Sequence, residues 1–365
     1  MTTELTERVP ATAPAPATRP DARVSLEGAK LAYTTRGVRL EAVGGILAGH
    51  DLRPQPGDVV LARVTDIGQH KRIELHDGRR ATLFPGDHVV VCFGNRYAPD
   101  QFEARVPESL EPCDLVAAGG IASRMHASHT SMGSPTAIVP LGLLAYEDGR
   151  RINLRDWALP RVATQPDRPA TIAVLGTSMN AGKTTTAANL IHGLASAGRR
   201  VAAAKVTGTG AGGDVWLMQD AGASPVLDFT HAGHASTAGL EPPEIEDILL
   251  RLTAEVAARN ADSVVLEVAD GLFQEETAAL VASPLFAAAV DGVLFAGSDA
   301  LGVALGTQRL RDLGLPVVGV TGLVSASPLA SREAARATGL PVLDIAALRD
   351  PATVAGLLQR QPRRA

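Results

Sequence analysis

A chain of 365 residues, 45% of them apolar, is long for one hydrophobic core and rich enough to fill two, so two globular domains are the starting expectation. A net charge of −5 and an aromatic content of 3% argue against a surface that neutralises phosphate backbones or stacks bases. Cys92 and Cys113 are too few for a disulfide framework and lack the paired spacing of a zinc site. No signal-peptide core and no bilayer-length apolar run is visible, so a cytoplasmic protein with neither a nucleic-acid nor a membrane partner is expected.

Residues 1–22 are rich in Pro, Ala and Thr without periodicity and read as a disordered tail. Residues 23–160 read as a β-rich accessory domain, a small barrel or sandwich. Its strand signals are Val59 to Val64, Ile73 to Leu75 and Val89 to Cys92, with a tight turn at Asp77-Gly78. The run Pro56-Gly57-Asp58 returns as Pro85-Gly86-Asp87, which predicts that two strands enter by the same turn chemistry. The stretch from Asp114 to Trp157, including the polar run Arg124 to Gly133, carries no clear assignment. Residues 161–169 have the Pro and charge content of a linker.

Residues 170–365 change character. Buried strands at Thr171 to Leu175, Val201 to Val206, Val226 to Phe229, Ser263 to Val268, Val293 to Phe295, Val317 to Val320 and Val342 to Ile345 alternate with helices. The helices are predicted from Gly182 to about Ser196, within Pro242 to Arg259 and around Leu301 to Leu313. Continuous apolar strands separated by amphipathic helices imply an α/β domain with a mostly parallel sheet covered on both faces.

The strongest signal is the strand from Thr171 running into Gly176, Thr177, Ser178, Met179, Asn180, Ala181, Gly182, Lys183, Thr184, Thr185 and Thr186 at a helix start. Such a loop points successive N–H groups at phosphate oxygens, while Lys183 bridges β- and γ-phosphates and Thr184 offers its hydroxyl to Mg²⁺. The chain holds only four lysines, Lys30, Lys71, Lys183 and Lys205, against a majority of arginines. Two of these compact point charges fall in the candidate site.

Gly176 and Gly182 enclose five residues rather than the usual four, with Thr177 where the first glycine would stand. The resulting Gly-Thr-x-x-x-x-Gly-Lys-Thr arrangement resembles the loop of the P-loop NTPase class that holds dethiobiotin synthetase, the cobyrinic acid diamide synthases and the molybdopterin-guanine dinucleotide biosynthesis B proteins. That resemblance implies that Lys205 meets phosphate or substrate. Its place at a strand's carboxyl end independently puts it where parallel sheets bind ligands. By the same resemblance Glu267 matches a magnesium-binding glutamate and Asp214 a second metal carboxylate, with Asp220 as its alternative. Members of the class often pair across their nucleotide sites, so a homo-oligomer is expected. Val268 and Asp270 replace the family glycines beside Glu267, and an asparagine before the base-binding loop is missing from Val317 to Gly322, leaving ATP and GTP both open. The segment Ser331 to Asp344 resembles the closing helix and strand of an uncharacterised P-loop family that includes D-glutamate N-acetyltransferases.

His126 and His129, and His231 and His234, form two His-x-x-His pairs. A joint zinc site is the less favoured reading of them, since no defined helix or turn carries the set. The segment Thr230 to Thr237, following Asp228, is expected to line the substrate pocket.

The leading functional expectation is Mg-ATP-dependent phosphoryl transfer to a small-molecule acceptor, a carboxylate activated for ligation or phosphorylation, with Lys183, Lys205 and Glu267 catalytic and Thr184, Asp214 and Glu267 on the metal. The runners-up are an acetyl-CoA-dependent N-acyltransferase of an amino acid and a nucleotide-switched binding or delivery protein.

Overall fold

The computed structural model describes residues 25–49, 51–162 and 168–359. The expected tail over 1–22, most of the expected linker and the basic residues after 359 lie outside them.

The front of the chain contributes eleven strands among the described residues: β1 (Lys30–Leu31), β2 (Gly45–Leu47), β3 (Val59–Asp66), β4 (Arg72–Glu74), β5 (Arg80–Thr82), β6 (His88–Phe93), β7 (Arg96–Tyr97), β8 (Phe102–Arg105), β9 (Cys113–Ala117), β10 (Ile121–Ser128) and β11 (Thr136–Ala145). Strands β6, β3, β11, β9 and β10 pair in turn, and β10 pairs back onto β6, so the sheet closes on itself. Closure removes the open edges that a small sheet would otherwise expose. The echoed Pro-Gly-Asp turns hold Gly57 and Gly86 at φ 87° and 94°, where glycine meets no Cβ penalty. They launch β3 and β6, which are direct antiparallel neighbours, Val59 opposite Cys92. The β4–β5 hairpin turns at the expected Asp77-Gly78. The stretch that the sequence leaves unassigned supplies β9, β10 and β11, the strands that complete the ring. Alternate residues of β3 and β6 feed two apolar clusters, one with Val60, Val89 and Val91, the other with Val59, Leu61 and Val90.

The second half is a six-stranded, wholly parallel sheet: β12 (Ala170–Gly176), β13 (Val201–Lys205), β14 (Val226–Asp228), β15 (Ser263–Glu267), β16 (Gly292–Ala296) and β17 (Val317–Thr321), in the order β14-β13-β15-β12-β16-β17. Its helices are α1 (Lys183–Ser196), α2 (Gly213–Asp220), α3 (Pro242–Ala258), α4 (Glu275–Ala282), α5 (Pro284–Ala289), α6 (Ala300–Asp312), α7 (Pro328–Thr338), α8 (Ile345–Arg349) and α9 (Pro351–Gln359). Side-chain alternation splits each strand between two cores. Ala173, Leu175, Leu266 and Phe295 pack with α3 and α6, while Ile172, Val174, Val265 and Leu294 pack with α1, α8 and α9. This is the predicted α/β fold.

Helix limits follow local chemistry. Glu241 and Glu244 form a capping box ahead of α3, with Pro242 and Pro243 in its first turn; Ser327 caps α7, which ends at Gly339. The predicted strand Val342 to Ile345 is a correction. Only a Val320–Val342 bridge forms, because the Asp344 side chain accepts from the Ala347 N–H and starts α8 instead.

Candidate functional site

β12 is central, and the chain leaves it for α1 and β13 on one side while β16 and β17 lie on the other. The strand order therefore reverses at β12, and the crevice outside its carboxyl end is where an open parallel sheet accepts ligands. Register places Val174, Glu267 and Lys205 in one row across β12, β15 and β13, with Asp228 next on β14.

Beyond Gly176 the loop turns through two left-handed residues, Asn180 at φ 61° and Gly182 at φ 97°. Gly182 is the N-cap of α1 and makes no side-chain capping bond, so the first N–H groups of the helix keep no side-chain acceptor. That is the electropositive end at which phosphate binds. A Cβ on Gly182 would lie 3.0 Å from the Cα of Gly322, so the loop is held against the end of β17.

Lys183 is 6% exposed and its Nζ donates to the Ser178 carbonyl at 2.7 Å, folding the lysine back over the loop. Burial pushes its pKa below the ordinary lysine value. The Thr184 hydroxyl donates to Glu267 Oε1 at 2.9 Å. Glu267 is 1% exposed, and its Oε2 is buried without a hydrogen-bond partner. Burial raises this carboxyl, with Lys205 opposing the shift. The Lys205 ammonium is bonded to Asp214 and lies 3.9 Å from Glu267. Burial works against the Lys205 charge, yet Asp214 and Glu267 together hold its pKa above the usual range. Asp270, left-handed at φ 63°, closes the row from the loop after β15; burial raises its carboxyl too.

Of the residues singled out from the sequence, the structure brings Gly176, Ala181, Gly182, Lys183, Thr184, Lys205, Asp214 and Glu267 to this one crevice. Asp214, in the first turn of α2, is engaged by Lys205 and not by Thr184, whereas Asp220 is exposed at the far end of that helix and takes no part. Two cavities flank the loop. Thr177 and Asn180 line one of about 320 Å³, together with Tyr97, Asp100, Asp270 and Phe273. Thr185 and Thr186 line another of about 360 Å³, with Thr321, Leu323 and Ile345.

The donor set fits a divalent ion that relies on phosphate oxygens: the Thr184 hydroxyl and one buried carboxylate, Glu267, whose Oε2 still lacks a partner. Among the described residues no group of three or more His, Cys, Asp or Glu could hold a metal by itself. The two His-x-x-His pairs form no joint metal site among the described residues, although His129 borders the cavity that Thr177 and Asn180 line. His126 and His129 are exposed on or beyond β10, His231 bonds Asp228, and His234 is buried, its pKa pushed down to about 4 chiefly by burial.

The segment after β14 packs mainly between the two halves; it lines neither cavity beside the loop, and Gly233 to Ser236 border a separate one of about 120 Å³ with Gly57, Asn95 and Arg155. Asp228, 1% exposed, accepts from the Tyr33 hydroxyl at 2.6 Å and from Arg36 at 3.0 Å, and Leu159 N–H donates to the His231 carbonyl. A second tie comes from β4: Glu74 accepts from Gly212 N–H at 2.9 Å and Trp216 Nε1–H at 3.0 Å, gripping the start of α2. A third joins the front half to the loop itself, where Asn180 Nδ2 donates to Asp100 at 2.8 Å. Sequence reasoning missed Tyr33, Arg36, Glu74, Tyr97 and Asp100. No local pattern marks them, since each acts on a residue about eighty or more positions away.

No protein family and no curated protein matches the sequence. Similar solved structures include the signal recognition particle 54 kDa protein of Aeropyrum pernix in complex with GDP, at 18% identity over 54% of this chain and 50% of that one, TM-score 0.35. A DUF1611 family protein from Anabaena variabilis is 15% identical over 57% and 64%, TM-score 0.40. The septum site-determining protein MinD of Pyrococcus horikoshii, complexed with Mg-ADP, is 16% identical over 53% and 87%, TM-score 0.34. The chain thus spans between half and two thirds of the first two. At these identities and scores the chain's own strand order and loop geometry define its fold.

Proposed function

We propose that the protein binds a Mg²⁺–nucleoside triphosphate, ATP or GTP, on Gly176 to Thr186 and transfers the terminal phosphoryl group to a small-molecule acceptor. The observation that carries this is the unpartnered Glu267 Oε2 beside the Thr184 hydroxyl at the mouth of a glycine-bounded loop. Thr184 and Glu267 would hold Mg²⁺, which when bound neutralises phosphate charge; Asp214 supplies a further carboxylate beside them. The uncapped α1 N-terminus receives β-phosphate oxygens. Lys183 exchanges the Ser178 carbonyl for phosphate, and Lys205 offers a second buried cation to the transferred group. The acceptor's nucleophilic atom bonds to the γ-phosphorus as the bond to the β–γ bridging oxygen breaks, and the electron pair leaves on the nucleoside diphosphate.

No described helix is long and apolar enough to cross a membrane. A cytoplasmic location and a homo-oligomer belong to the same proposal.

The test is a calorimetric titration of wild type and Lys183→Ala with ATP, GTP and acetyl-CoA, each with and without Mg²⁺. Mg-dependent binding of one nucleotide is expected, weakened about a hundredfold in the variant, the loss of one charge-assisted contact. Binding of acetyl-CoA alone would overturn the reading in favour of acyl transfer. Nucleotide binding with hydrolysis that only another protein accelerates would favour a switch.

A further inference from the structure

The cavity of about 320 Å³ beside the loop is built jointly by the closed β sheet and the parallel sheet. Tyr97, Asp100 and His129 come from the front half, Asp270, Phe273 and Gln274 from the segment after β15, and Thr177 to Asn180 from the phosphate loop itself. It therefore abuts the place where a terminal phosphate would lie, while its other wall is contributed by a different part of the chain.

The lining has a consistent chemistry. Two carboxylates, Asp100 and Asp270, face it against one basic side chain, the His129 imidazole, and no lysine or arginine borders it. The buried guanidinium of Arg96 behind them bonds Gln101 at 2.7 Å and His70, and acts on both carboxylates only through space, without a hydrogen bond to either. Asp100 gives one oxygen to Asn180 and keeps the other without a partner. Aromatic residues are only 3% of the chain. Among the described residues, the exposed aromatic side chains are Phe84, Tyr97 and Phe273, and two of these three border this cavity, Phe273 at 79% exposure. Ring faces beside carboxylates are the surroundings that attract an organic cation and repel an anion.

We infer that this cavity is the acceptor subsite and that it selects a small molecule carrying a protonated amine. The ammonium is held by Asp100 and Asp270 and flanked by Tyr97 and Phe273, and the reacting end of the molecule points to Ser178 to Asn180. The inference rests on the phosphoryl-transfer reading and narrows it. A simple carboxylate acceptor without an amine meets two carboxylates and only the His129 imidazole as a basic group among the lining residues.

The test uses the full chain and three probes with the same six-carbon tail, hexylammonium, hexanol and hexanoate, followed by saturation-transfer NMR with and without Mg-ATP. Hexylammonium is expected to bind about tenfold or more tighter than either other probe, as an ion pair with cation–π support requires. That preference should shrink in Asp270→Asn and in Phe273→Ala. The second change sits on an exposed side chain and leaves folding untouched. Equal binding of the three probes, preference for hexanoate, or a preference that survives both substitutions overturns the amine subsite. Mg-ATP binding is titrated separately on the same samples. Nucleotide binding without amine preference refutes the subsite alone, whereas amine preference without nucleotide binding refutes the phosphoryl-transfer reading and leaves the cavity a cation site.

Discussion

Glu74 is the side chain whose removal most directly tests how the front half supports the nucleotide site. It is 3% exposed on β4, and its two oxygens accept from the buried Gly212 N–H and from the part-buried Trp216 Nε1–H at the start of α2. Glu74→Ala strands both donors. A buried donor without a partner costs about 1–3 kcal/mol, a part-buried one less, and loss of a negative charge at a helix N-terminus adds about 0.3–1 kcal/mol. The sum is about 2–4 kcal/mol of folding stability. Glu74→Gln keeps one acceptor and turns an NH₂ group towards the other donor, for a cost of about 1–2 kcal/mol. Urea unfolding followed by tryptophan emission suits the assay, because the chain has only two tryptophans, and Trp216 bonds Glu74 directly. The same α2 turn carries Asp214, which engages Lys205, so Mg-nucleotide affinity should fall in step, and more for Ala than for Gln. A Glu74→Ala protein with unchanged midpoint, emission and nucleotide affinity would refute the idea that β4 positions this part of the site.

Two further outcomes are expected. Gly271→Ala would place a Cβ 2.2 Å from the Thr177 carbonyl oxygen, which is backbone and must move, so nucleotide affinity should drop about tenfold or more by calorimetry; unchanged affinity would show that the loop tolerates displacement at Thr177. His234, 8% exposed, has its pKa lowered from 6.5 to about 4, chiefly by burial. Between those pH values the unfolded chain holds a proton that the folded one excludes, so stability is full above about pH 6.5 and falls as pH drops towards 4, by up to about 3 kcal/mol. Urea midpoints at pH 7.5 and 5 should therefore differ less in His234→Gln than in wild type, and equal slopes would show that His234 is not the titrating group.

Much of the second half was legible because its signals are local. An apolar run too short for a helix and bounded by glycine reads as a buried strand, and Gly176 to Thr186 spells out a phosphate loop in consecutive residues. The helix predicted from Gly182 is α1, Lys183–Ser196, and the helix within Pro242 to Arg259 is α3. The Pro-Gly-Asp echo identified β3 and β6 because a turn that needs left-handed glycine leaves a three-residue trace.

What tertiary structure alone decided is where distant groups meet. β9 to β11 show no strong period of their own, and their pairing is fixed only when β10 returns to β6 and closes the ring. Asp344 reads as the end of a strand, but its carboxylate finds the Ala347 N–H and becomes a helix cap. Lys205, Asp214 and Glu267 are each visible in the sequence as charges at strand or helix ends. Which carboxylate pairs with the lysine, and which keeps an oxygen free beside Thr184, depends on strand register and on the angle at which α2 leaves β13. Glu74, Asp100 and Tyr97 leave no sequence trace, because a hydrogen bond or a cavity wall formed across eighty or more residues imposes no spacing on either partner, only a shared place in the folded chain.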